Sequence, residues 1–200
     1  MKSIFQTQGR WLRLFTFLPA AAAFSLTVAA SAQSTTNLPP TAIQNFELQP
    51  DAVIVKGFQT GGSMTTSAGM ISIRCKESVN VNTGRRQFGI ALILEEGASH
   101  RDVLIVDYDE LEPLLNGLDY LGTIGHGVTA MPAFDATFTT KSGLRIAAHS
   151  DRAQGGMQDF LQFGSEPRIP LTADQFTQFR NLIGQAKATL DTVQQKNSTP

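Results

Sequence analysis

Residues 71–76, Ile71-Ser72-Ile73-Arg74-Cys75-Lys76, alternate apolar and polar side chains, the period of a strand with one face buried. The pattern predicts a strand from Met70 to Lys76, running on through Val79 and Val81. Ahead of it, Ala52–Phe58 is rich in Val and Ile and reads as a strand, with Gly57, Gly61 and Gly62 at its end. Asn82-Thr83-Gly84 then supplies a turn. Gln87–Glu95 places Phe88, Ile90, Leu92 and Leu94 on one face and Gly89, Ala91 and Ile93 on the other. Two apolar faces predict a central strand covered twice. Asp102–Asp107, again apolar on both faces, follows a short connection through Glu96-Gly97-Ala98-Ser99-His100. Short connections throughout favour an antiparallel meander.

The period then changes. Leu111, Leu114, Leu115, Leu118 and Leu121 form one helical stripe. Two capping boxes could open this helix, Asp107 with Glu110 or Asp109 with Glu112. Pro113 favours Asp109, because it then lies nearer the first turn, where a missing N–H costs less. Gly122–Pro132 reads as a loop. Phe134–Thr140 and Leu144–Ala148, joined by Lys141-Ser142-Gly143, read as a hairpin, and Met157–Phe163 as a further strand. A last helix opens at Thr172, boxed with Gln175. It aligns Phe176, Phe179, Leu182, Ile183, Ala186, Leu190 and Val193 on one face.

The expected fold class is therefore α+β, a mainly antiparallel sheet of about seven strands with two amphipathic helices. Both helices follow strand residues and a polar cap, through Asp109-Glu110-Leu111 and Asp174-Gln175-Phe176, which suggests two meander-plus-helix units. This arrangement resembles folds that pair two strand-rich repeats with two helices, some single-strand-binding proteins among them. Such a resemblance carries no function.

The first thirty-two residues change the picture most. Lys2, Arg10 and Arg13 lead an apolar stretch from Leu14 to Ala29, and Ala30-Ser31-Ala32 closes it in a small-x-small pattern. That is the form of a cleaved signal peptide. The stretch is too short, and too interrupted by Pro19, for a spanning helix. The expected organisation is a signal over 1–32, a flexible linker over 33–50, a single globular domain over 51–195 and a disordered tail over 196–200. Ile43 and Phe46 are the linker residues able to dock. Gln194–Pro200 reads as fraying. The expected address is periplasmic or secreted, with no stable membrane insertion after cleavage.

The signal carries three of sixteen basic residues and no acidic ones, so the remainder has 13 − 17 = −4 charges. A mildly acidic chain with no basic run beyond Arg85-Arg86 offers no footprint for nucleic acid. A single cysteine excludes an internal disulfide, and its place on the alternating strand marks Cys75 as a core thiol.

Motifs for phosphate, zinc-hydrolase, serine-elbow and calcium chemistry are absent, and no cofactor is expected. Gly122, Gly125 and Gly127 follow a helix, the wrong context for a dinucleotide fingerprint. His100, His126 and His149 form no metal-ligand spacing. His100 reads as an exposed turn residue and His149 as a local cap beside Ser150 and Asp151. His126, in the glycine-rich loop, is the histidine best placed for chemistry. The acidic clusters are Glu95-Glu96 and Asp107, Asp109, Glu110 and Glu112, the second accounted for by helix capping. Without the signal the chain has two tyrosines and no tryptophan, which disfavours saccharide stacking.

The leading expectation is an exported, non-catalytic binding or interaction domain for an unidentified protein or small ligand, with no catalytic, cofactor or metal residues assigned. The stripe of the C-terminal helix is expected to pack on its own sheet, the alternative being a homodimer in which it meets a second copy. The alternatives are a small hydrolase using His126 or Cys75 with acidic partners, and a carrier of hydrophobic ligands exploiting the apolar loop Val128–Pro132.

Overall fold

The computed structural model describes residues 39–97, 100–151 and 156–198. The expected signal over 1–32, the first part of the expected linker and the last two residues of the expected tail lie outside the described residues.

The first alternating stretches become four strands, β1 (Ile54–Thr65), β2 (Met70–Asn80), β3 (Arg86–Glu96) and β4 (His100–Asp107), paired antiparallel in the order β1-β2-β3-β4. A short helix, α1 (Ala42–Glu47), precedes them and α2 (Tyr108–Leu121) follows. After a 3₁₀ turn at His126–Val128 come β5 (Ala133–Thr139), β6 (Leu144–Asp151), β7 (Gly156–Phe163) and β8 (Ile169–Leu171), a second sheet in the order β5-β6-β7-β8. The chain then enters α3 (Ala173–Ser198). The fold is thus α+β: among the described residues there are eight strands in two antiparallel sheets, three helices and no closed barrel. Each meander is followed by a helix.

Register fixes which side chains share a face. Ile71, Ile73 and Cys75 oppose Leu94, Leu92 and Ile90, and all lie in one core with Val106 of β4. In the second sheet Leu144 and Ile146 oppose Phe163 and Leu161 and enter the same core. The stripes of α2 and α3 complete it. A fully buried Ile, Leu or Phe contributes about 1.5–3 kcal/mol, so this shared core dominates stability.

The helices exchange partners. Rather than packing wholly on the strands of its own unit, α3 lies mainly along β1 and β2, while α2 sits between β3–β4 and β5–β6. Gly61 and Gly62 allow the approach of α3: a Cβ on Gly61 would lie 3.5 Å from that of Ala186, and one on Gly62, where φ is +118°, 2.6 Å from Leu182 Cδ2. The apolar side chains Phe176, Phe179, Leu182, Ile183, Ala186 and Leu190, the stripe that the homodimer alternative would use, are buried within one chain.

Three expectations are corrected, and in place of the about seven strands expected the described residues form eight. Part of the expected linker is α1, a six-residue helix with Ile43 and Phe46 buried. A helix this short does not persist alone. Its partners come from distant residues, so local composition did not reveal it. The cap of α2 is Asp107, not Asp109, and Pro113 lies inside the helix. Tertiary bonds from Asp107 and Glu110, described below, outweigh the one intrahelical bond that Pro113 removes. The eighth strand, Ile169-Pro170-Leu171, is three residues long and carries a proline, which only a sheet edge accepts. The last helix passes the expected fraying point at Gln194 and continues to Ser198, with Asn197 Nδ2 donating to Glu77 Oε1 at 3.2 Å. Among the described residues, no helix is long and apolar enough to cross a membrane.

Candidate functional site

The cysteine and three histidines weighed in the sequence occupy separate places. Cys75 faces the core with 3% exposure, and its thiol donates to Ala186 O of α3 at 3.5 Å. Burial pushes its pKa above the ordinary 9.0, so the thiolate is disfavoured. It lines a small cleft of about 200 Å³ with Phe58, Lys76, Leu190 and Val193, and no histidine borders that cleft. His126 begins the 3₁₀ turn, and its Nδ1 and the hydroxyl of fully buried Ser150 share a hydrogen bond of 2.5 Å. This serine–histidine contact borders none of the clefts described below. His149 does not cap locally. It stands directly opposite Asp135 across the β5–β6 pair, with Nδ1 2.9 Å from Oδ1. His100 is exposed, as expected, and begins β4 with Nε2 2.9 Å from Asp102 Oδ2.

The acidic cluster at the start of α2 binds other elements rather than its own helix. Asp107, 2% exposed, accepts the N–H of Ala42 at 2.6 Å and of Ile43 at 3.0 Å, and so caps α1. Glu110 accepts the Lys141 N–H of the β5–β6 turn at 2.8 Å, and Asp109 pairs with Lys141 Nζ at 3.1 Å. At the other end of α1, Glu47 meets Lys76 Nζ at 2.6 Å and Lys56 Nζ at 2.9 Å and accepts the Ser78 hydroxyl. Burial raises the Glu47 pKa, but hydrogen bonds from Lys76, Ser78 and Lys56 prevail and hold it below the ordinary 4.5.

Two clefts at the ends of α2 carry convergent polar groups. The larger, about 570 Å³, is lined by Arg86, Phe88, Asp107, Tyr108, Asp109 and Asn197, among others. Most of its polar groups are engaged: Arg86 pairs with Glu77, Tyr108 donates to Asp191, and Asp107, Asp109 and Asn197 bond as above. The hydrogen bond to Asp191 raises the Tyr108 pKa, so the phenol stays protonated.

The second cleft, about 280 Å³, lies where α2 ends and α3 begins, with Asp119, Thr123, Asp159, Phe176, Thr177 and Arg180 in its lining. The Arg180 guanidinium grips Asp119 through Nε–Oδ1 at 2.8 Å and Nη2–Oδ2 at 2.9 Å, which lowers the carboxyl's pKa. Thr123 and Thr177 spend their hydroxyl protons on backbone carbonyls. Asp159 differs from all of these. In register it follows Phe163 and Leu161 on the core-facing side of β7, opposite Ala148 and Leu171. Half-buried there, it has no hydrogen bond or ion pair from its carboxylate among the described residues, and burial alone raises its pKa above the ordinary 3.8. Sequence reading passed over Asp159, yet the signal was present: an acid on the apolar period Met157, Leu161, Phe163. The chain matches no family model, no curated protein and no solved structure.

Proposed function

We propose that this protein is an exported, non-catalytic binding domain, and that the cleft between the end of α2 and the start of α3 holds its ligand. The observation that carries this reading is Asp159. A carboxylate without a partner on the core-facing side of a strand costs stability, and such groups in clefts mark functional sites. The acceptor-rich lining, with Arg180 already occupied by Asp119, suits a small ligand or side chain bearing a primary amine or ammonium group. Binding would supply the missing hydrogen bonds and positive charge. A hydrolase built on His126 or Cys75 has less support, because His126 is bonded to a buried serine and the Cys75 thiol is held protonated.

The test is amide chemical-shift mapping with amine, neutral-alcohol and carboxylate fragments of equal size. The amine series should perturb Gly122, Thr123, Ala173 and Thr177 at lower concentration than the other two, and Asp159→Leu should abolish this preference. Equal responses from all three series, or an unchanged preference in Asp159→Leu, would sink the reading.

A further inference from the structure

A second carboxylate also occupies a core-facing position, near the start of β4 in the first sheet. Asp102 opposes Leu94, on the same side of β4 as Leu104 and Val106. Its Oδ2 is buried and makes no hydrogen bond among the described residues, although His100 Nε2 lies 2.9 Å away. The two form an ion pair when the imidazole is protonated, yet no hydrogen bond joins them. Glu166 comes from the turn between β7 and β8 and puts Oε2 3.8 Å from the same nitrogen. That turn is braced by Glu166 N donating to Phe163 O at 2.9 Å and by Gln162 Nε2 donating to Glu166 O at 2.8 Å. One nitrogen and two carboxylate oxygens, from two sheets, thus lie within 4.8 Å of one another.

Three donor atoms within 4.8 Å of one another, one of them a buried oxygen without a hydrogen bond among the described residues, form an arrangement that an ion could share. Around tetrahedral zinc, with bonds of about 2.0–2.1 Å, neighbouring donors stand about 3.3 Å apart. The observed 2.9 Å and 3.8 Å bracket that value. We infer that His100, Asp102 and Glu166 bind a first-row divalent cation, zinc foremost, joining the edge of the first sheet to the β7–β8 turn. The imidazole selects against magnesium and calcium, which take all-oxygen sets. Water would complete the coordination shell. The inference does not involve Asp159 and stands apart from the proposed ligand cleft.

Isothermal titration of the untagged protein with zinc chloride tests it. The expected result is one zinc per chain, bound more tightly than magnesium or calcium, with a melting temperature that rises with zinc concentration. His100→Ala and Asp102→Asn should each weaken binding at least about tenfold, the floor seen even for losing an outer-shell partner. Glu166→Gln, on an exposed turn whose fold does not depend on its carboxylate, should weaken it several-fold. His149→Ala, which removes the imidazole paired with Asp135, should bind zinc as the parent does. The inference is overturned if zinc does not bind, if magnesium or calcium binds as tightly, if the three site variants retain the parent affinity, or if His149→Ala loses it.

Discussion

Removing the carboxylate of Asp107 should release α1 from the first sheet. Asp107 accepts both leading N–H groups of that helix, Thr41 Oγ1 accepts the Gln44 N–H at 3.3 Å, and Gln44 Oε1 accepts the Thr41 N–H at 2.8 Å. Every early donor of α1 is therefore satisfied, two of them by one residue far along the chain. A hydrogen bond to a charged group contributes about 1.5–3 kcal/mol. Water regains part of that when the freed N–H groups become exposed, so Asp107→Ala should cost about 3 kcal/mol. Ile43, fully buried against Ala91 and Ile105, should cost about 2–4 kcal/mol on truncation to Ala. The decisive quantity is the pair. Once α1 has left the sheet, the second truncation removes contacts that no longer exist. The double variant should fall short of the summed costs by at least about 1 kcal/mol. Urea unfolding of the four proteins measures this coupling. Hydrogen exchange adds a local readout, in which Asp107→Ala loses protection at Ala42–Glu47 while Leu92 and Leu94 keep theirs. Costs that add to within about 0.5 kcal/mol, or intact α1 protection in Asp107→Ala, would refute the reasoning.

Gly89→Ala should cost at least about 1–3 kcal/mol by thermal or urea unfolding, because its Cβ would lie 2.5 Å from the Val106 carbonyl oxygen and force β3 and β4 apart. A neutral outcome would mean the strands separate freely there. Cys75 should resist a thiol reagent in the native protein and react only at the rate of unfolding, so rapid stoichiometric labelling of folded protein would contradict its burial against Ala186. Glu47 has a lowered folded-state pKa, so its stabilisation is present above 4.5 and fades as pH falls through the folded value. Glu47→Gln should therefore destabilise at pH 7 and lose that difference at low pH, which unfolding at several pH values would show. Asp159 runs the opposite way. Its raised pKa makes the ionised form a burden that grows as pH climbs above 3.8. Asp159→Asn should melt higher than the parent at pH 7, with the gap closing in acid.

Much of this architecture was legible in side-chain periodicity. Two-residue alternation located β2, a run apolar on both faces located β3, and the Leu111–Leu121 and Phe176–Leu190 stripes located α2 and α3, because burial leaves its pattern in the chain. What pairs across long separations left no such trace. Nothing near residue 42 signals that Asp107 will cap it, and nothing in the α3 stripe says that β1 and β2 will receive it. His149 was read with its neighbours Ser150 and Asp151, whereas sheet register set it against Asp135. Asp102 and Asp159 were visible as acids on an apolar period. Their cost became readable only when the structure left both carboxylates without hydrogen bonds.

The exchange of helices has a consequence for how the chain is made. Sixty-five residues separate the end of β4 at Asp107 from the start of α3 at Ala173. A ribosome therefore completes the first meander well before it makes the helix that shields it. During that interval Ile71, Ile73 and the flank of β1 lack the cover of α3, so the incomplete chain carries adhesive apolar surface until its last helix arrives.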